Sequence, residues 1–181
     1  MSEKNKRSME MLATALEMED KGYKFYDQAV TKCQNDLGVK IFTMLRDDEL
    51  IHTQRIQKIY EALAGGQPWT EEWKEMALGH RDLARVFRDL AQTHGKTITP
   101  TSGDLEALDV GVDFESKSVA YYEKHLEQAT DPLEKEFVQH MIQEEKTHYT
   151  ALADMKYFLE DPSAWFREQE GTSFDGGTGF A

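Results

Sequence analysis

Residues 49–52 read Glu-Leu-Ile-His, and residues 145–148 read Glu-Lys-Thr-His. The two Glu-x-x-His tetrads stand 96 positions apart. Laying residues 12–63 over residues 108–159 at that offset needs no gap. It pairs Leu12 with Leu108, Glu19 with Glu115, Lys21 with Lys117, Tyr26 with Tyr122, Leu37 with Leu133, Glu49 with Glu145, His52 with His148 and Leu63 with Leu159. Eight identities in 52 positions are few, but they carry one pattern: a lone Glu, a Tyr seven residues later, then the tetrad. Apolar positions also correspond, Phe42 with Val138 and Ile56 with Leu152. Such a duplication predicts two copies of one unit related by a pseudo-two-fold axis, with the tetrads meeting at its centre.

The flanking sequence is helical in composition, and all four prolines (Pro68, Pro100, Pro132, Pro162) fall at punctuation points. A first helix is predicted from about Ser8 to Gln34, with Leu12, Ala15, Leu16, Glu19, Tyr23, Tyr26 and Val30 on one face. Asn35 or Asp36 can cap a second, which runs to about Ala64 and stops at Gly65-Gly66; its inner face holds Ile41, Leu45, Glu49, His52, Ile56 and Ile59. A third starts near Asp104 and reaches about Gln128, and Asp131-Pro132 starts a fourth that ends near Leu159. Short turns inside each pair make the partners antiparallel. The fold class is therefore all-α, a four-helix bundle over residues 1–160. Residues 65–103 form a crossover too long for a bare loop, with helical pieces over 71–76 and 82–92 and an apolar stripe of Leu83, Val86, Phe87 and Leu90. Trp69 and Trp73 are expected to anchor it. Residues 161–181 read as a Gly-rich tail without period, pinned by Trp165, Phe166 and Phe174.

The chain has 181 residues with a formal charge of −13, which suits one domain and disfavours nucleic acid and anionic membrane as partners. Cys33 is the only cysteine, so no internal disulfide and no Cys-x-x-Cys knuckle can form. The N-terminal segment lacks the apolar core of a signal peptide, and no apolar run is long enough to span a membrane, so a cytoplasmic protein is expected.

Residues three apart on a helix lie about 60° apart in projection, so Glu49 and His52 point into one space, as do Glu145 and His148. Glu19 and Glu115 sit mid-way along apolar faces. Four carboxylates in one interior survive only through protons, basic partners or bound cations. No Lys or Arg recurs on these faces, so two divalent cations are the economical balance. Glu19 and His52 would terminate one metal, Glu115 and His148 the other, and Glu49 and Glu145 would bridge both. Mixed carboxylate and imidazole ligation with open positions suits iron or manganese; zinc can occupy such a site as purified.

Gly22 and Ser118, one turn beyond the lone glutamates, either leave room for a small oxidant or permit close helix packing. Tyr26 and Tyr122 can reach a bridging Glu or relay an electron. Asp48 and Glu144, each four residues before a tetrad His, can hydrogen-bond the outer imidazole nitrogens or remain surface acids. His80, His94, His125 and His140 have no duplicate and are read as surface residues.

The stretches ALEMEDKGYKFYDQA, DDELIH, FESKSVAYYEKH and QEEKTHY resemble the rubrerythrin branch of the ferritin-like di-iron superfamily over residues 8–160. The resemblance implies a ferritin-like bundle, a two-iron centre with ligands Glu19, Glu49, His52, Glu115, Glu145 and His148, and a homodimer. It implies an oxidoreductase that reduces hydrogen peroxide or oxygen with electrons from a separate donor. Two departures stand out. The single cysteine leaves no rubredoxin-like domain in this sequence. Ser118 stands where many members carry a second Glu, which implies a more symmetric site. Ferritin and bacterioferritin share the ligand set, but the helical crossover and Gly-rich tail are unlike a cage subunit. A ferroxidase or iron-handling module, and a metal-stabilised structural bundle, are the alternatives.

Overall fold

Side-chain caps set where the long helices begin. In this computed structural model, which describes residues 3–78, 82–94, 98 and 100–174, α1 spans Glu3–Lys32 and α2 Asp36–Ala64. Asn35 caps α2, its Oδ1 accepting from the Gly38 N–H at 2.7 Å, and the chain leaves α2 through Gly65 and Gly66, the latter at φ 78°. A 3-10 helix, Glu72–Glu75, and α3, Leu83–His94, lie in the crossover. Then α4 spans Ser102–Leu126 and α5 Pro132–Glu160. The start of α4 precedes the expected Asp104 because Thr101 forms a capping box in which Asp104 is the third helical residue. Asp131 caps α5 with Pro132 in its first turn, as the Asp-Pro pair predicts. Helix α1 also begins earlier than expected. Ser8 and Arg7 both donate to the buried Glu134 of α5, at 2.7 and 3.0 Å, and hold this polar turn on the bundle.

The described residues form six α-helices and no strand, an all-α ferritin-like bundle. Helix α1 packs on α2 and α4 on α5, and the crossover joins the pairs. No helix among the described residues is long and apolar enough to cross a membrane. Trp69 and Trp73 bury against Phe137 of α5, with ring centroids 5.9 and 5.4 Å away. Leu83, Phe87 and Ala91 form the buried stripe of α3, with Val86 and Leu90 partly buried beside it. The tail departs from expectation. Asp161-Pro162 opens α6, Pro162–Phe174, with Asp161 Oδ1 accepting from the Ala164 N–H at 2.9 Å. Trp165 buries between Phe87 and Phe158, at 5.5 and 5.3 Å. Residues 175–181, His80 and the side chains of His94 and Phe174 lie outside the described residues.

The core divides into two apolar clusters along the bundle. One gathers Tyr26, Leu37, Ile41, Phe42, Leu108, Leu152 and Phe158 under α3 and α6. The other gathers Leu12, Ile56, Ile59, Tyr122, Phe137 and Met141 under the two tryptophans. The lone glutamates and the tetrads belong to neither cluster. Cys33 is half-buried near the α1–α2 turn; burial pushes its thiol up to about 11, so it stays protonated and inert at neutral pH.

The Phe87→Ala variant should lose about 3–5 kcal/mol in denaturant unfolding, because its ring joins α3 to α5 and α6 in a fully buried position. Val110→Ala, at an exposed site, should stay within about 0.5 kcal/mol of the parent.

Candidate metal centre

Each copy of the duplicated unit delivers three ionisable side chains to one layer. Glu19 comes from α1, Glu49 and His52 from α2, Glu115 from α4, and Glu145 and His148 from α5. All six are at most 2 % exposed. Two groups have ligand-type atoms within 4.8 Å of one another: Glu49, Glu115, Glu145 and His148, and Glu19, Glu49 and His52. The imidazoles stack across the pseudo-two-fold at 5.5 Å and 22°. Both turn Nδ1 inward. His52 Nδ1 lies 3.1 Å from Glu19 Oε2 and 3.2 Å from Glu145 Oε1. His148 Nδ1 lies 3.6–3.8 Å from Glu145, Glu115 and Glu49.

The donor set fits divalent cations. Of the nine buried side-chain polar atoms without a hydrogen-bond partner among the described residues, six belong to Glu49, Glu115, Glu145 and His148. Burying unsatisfied oxygens is costly, and a native interior concentrates them only where something else satisfies them. In the metal-free chain, protons take that role. Burial and then the charges of Glu19, Glu145 and Glu115 push Glu49 well above the usual carboxylate range. Burial and Glu145, against His148, raise Glu115 to about 8. Burial disfavours charge on both imidazoles, but the surrounding carboxylates outweigh it and raise His52 and His148 well above the ordinary value. Burial likewise opposes charge on Glu145, yet the two imidazoles hold it well below the usual range.

The tyrosines reach the layer, but not at the expected carboxylates. Tyr26 donates to Glu115 and Tyr122 to Glu19, rather than to the central Glu49 and Glu145. The reason is helix direction. Each Tyr lies two turns beyond its own lone Glu, and α1 and α4 run antiparallel, so each Tyr arrives level with the other helix's Glu. Burial first, and then these carboxylates, raise both phenols well above 10.0, so the hydroxyls stay protonated.

The outer carboxylates are exchanged in the same way. His52 Nε2 meets Glu144 Oε2 at 3.0 Å and His148 Nε2 meets Asp48 Oδ2 at 3.3 Å. Each imidazole is held from the opposite helix, not by the acid four residues before it. Two neighbours were not anticipated. Arg55 is buried, its Nη1 2.6 Å from Glu144 Oε2 and its Nε donating to the Met76 carbonyl. His140, though 41 % exposed, places Nε2 2.9 Å from Glu144 Oε1. Burial works against a charge on Glu144, but bonds from His140 and His52 and the charges of His52 and Arg55 hold it well below the usual carboxylate range. Helical spacing offered the signal: Arg55 is three residues after His52, and His140 four before Glu144.

A model of the family described as Rubrerythrin matches residues 10–156. The chain belongs to the rubrerythrin family. No curated protein and no solved structure matches it. The rubrerythrin match takes in the first copy of the repeat, all but the last three residues of the second, and all six residues of the buried layer.

At Gly22 the space is filled rather than open. A Cβ there would lie 2.8 Å from Phe114 Cε1 and 2.9 Å from Glu49 Oε2. Gly22 lets α1 approach Phe114 and lets Glu49 turn inward. Ser118 is buried one turn beyond Glu115.

Two outcomes follow. Gly22→Ala should displace the Glu49 carboxylate or Phe114 and lower the divalent metal bound per chain, measured by elemental analysis. The metal-free chain should also lose stability as pH rises. Glu115's contribution is fully present below the ordinary 4.5 and is lost as pH climbs toward about 8. Glu49, His52 and His148 have the same sign. Melting scans between about pH 5 and 8 should show a falling Tm, abolished by saturating divalent metal, which displaces those protons.

Proposed function

We propose that this rubrerythrin-family chain is an oxidoreductase that reduces hydrogen peroxide or oxygen at a two-iron centre, drawing electrons from a separate donor. The reading is carried by the six unpartnered atoms on Glu49, Glu115, Glu145 and His148, gathered with Glu19 and His52 in one layer. Glu19 and His52 would hold one ion and Glu115 and His148 the other, with Glu49 and Glu145 shared. Bound ferrous iron supplies the two electrons that reduction of an O–O bond consumes.

The chain's own residues prepare the place. Apolar clusters above and below exclude bulk water, which strengthens every charge interaction inside. Tyr26 and Tyr122 orient the two lone carboxylates and keep a proton at each hydroxyl inside the dry layer. Glu144 and Asp48 fix which way each imidazole faces and leave both Nδ1 atoms turned inward. This holds six donors in a near-final geometry, which lowers the reorganisation needed on loading.

Protein purified without oxygen should carry about two irons per chain, and the Glu49→Ala, Glu145→Ala double variant fewer than about one. The reduced protein should consume peroxide stoichiometrically, and repeatedly when reductant is resupplied. Uptake of many irons per chain into a large assembly would replace this reading with iron handling. A chain that holds zinc and ignores both oxidants would be a structural bundle.

A further inference from the structure

The six inner side chains obey the duplication; the groups behind the imidazoles do not. His52 leans on Glu144, whose carboxylate also receives Arg55 at 2.6 Å and lies 2.9 Å from His140. His148 leans on Asp48, and Asp48 Oδ1 is buried with no partner. At the offset of 96, Arg55 corresponds to Ala151 and His140 to Met44, both fully buried. The duplication therefore puts hydrocarbon at the positions equivalent to the guanidinium and the imidazole that meet Glu144. A carboxylate behind a ligating imidazole makes it a stronger donor. Among the described residues the Asp48 carboxylate bonds His148 and leaves its other oxygen unpartnered, whereas Glu144 shares its charge among three groups, one of them a buried cation that also repels incoming metal.

The inner face differs in the same sense. His52 Nδ1 is already closed onto Glu19 Oε2 at 3.1 Å, and Glu19 Oε1 accepts from Tyr122. His148 Nδ1 has no hydrogen-bond partner, and Glu115 keeps Oε2 free. A cation settling beside His148 takes the place of a proton on Nδ1 but breaks no hydrogen bond there. One settling beside His52 must displace Glu19 from it.

Resting on the two-metal reading above, we propose that the subsites are inequivalent and fill in order. The Glu115–His148 side fills first and tightly; the Glu19–His52 side fills second and weakly. Arg55 is the positioning residue that sets the difference, through Glu144. The symmetric ligand set thus hides one retained ion and one exchangeable ion.

Anaerobic titration of the metal-free full chain with Co2+, followed by calorimetry and by absorption of the bound ion, tests this. Two steps should appear, with dissociation constants at least ~10-fold apart. His148→Ala should abolish the tight step and keep the weak one; His52→Ala should do the reverse. Arg55→Met should tighten only the second step, by roughly 10-fold. Should that variant fail to fold, His140→Phe removes a further partner of Glu144 from a half-exposed position and should shift the second step the same way. Two equal steps in the parent, or loss of the tight step in His52→Ala, would overturn the proposal. An unmoved second step in folded Arg55→Met, or in His140→Phe if Arg55→Met does not fold, would overturn the role of Arg55. Failure of the parent to bind any Co2+ would remove the two-metal centre itself, and this inference with it.

Discussion

Four carboxylates and two imidazoles share a layer from which water is excluded, and the rest of the structure follows from what that layer needs. Unscreened, the carboxylates repel one another strongly, and each loses its hydration on burial. Positive charge must enter with them, as protons or as metal. Burial and the neighbouring carboxylates raise the proton affinities of Glu49 and Glu115; at His52 and His148 burial opposes the charge but the carboxylates outweigh it, which favours protons on all four in the metal-free state. The unpartnered oxygens show that protons do not satisfy it fully.

The bundle meets this demand by symmetry. Antiparallel pairing of α1 with α4 carries each tyrosine to the opposite lone glutamate, and the same arrangement of α2 and α5 carries each outer acid to the opposite imidazole. Both lone glutamates and both imidazoles are thus oriented by a residue from the other copy, so neither half completes its site alone. The crossover contributes from outside. Its Met76 carbonyl holds Arg55, and its tryptophans seal the cluster beneath Tyr122. The buried metal-capable cluster stands on this geometry, in an all-α bundle of the rubrerythrin family.

The tetrads, the lone glutamates and the tyrosines were legible in the sequence because duplication prints the same chemistry twice, at helical spacing. Which tyrosine meets which glutamate was not legible, since that depends on how helices remote in sequence lie side by side. Arg55 escaped for a different reason. It has no copy, and a symmetric pattern draws attention to what recurs. The start of α6 is legible too: Asp161-Pro162 carries the same cap and first-turn proline as Asp131-Pro132, which opens α5. The capping box at Thr101 was likewise visible, with Asp104 in the place where Glu or Gln is usual.

The central claim is that these six side chains enclose a pair of cations. Anomalous diffraction from crystals of the anaerobically loaded protein tests it most directly. Two scattering peaks roughly 3.5–4 Å apart, one beside Nδ1 of His52 and one beside Nδ1 of His148, both flanked by Glu49 and Glu145, are predicted. Peaks only at exposed acidic residues, with both imidazole Nδ1 atoms unligated, would contradict it.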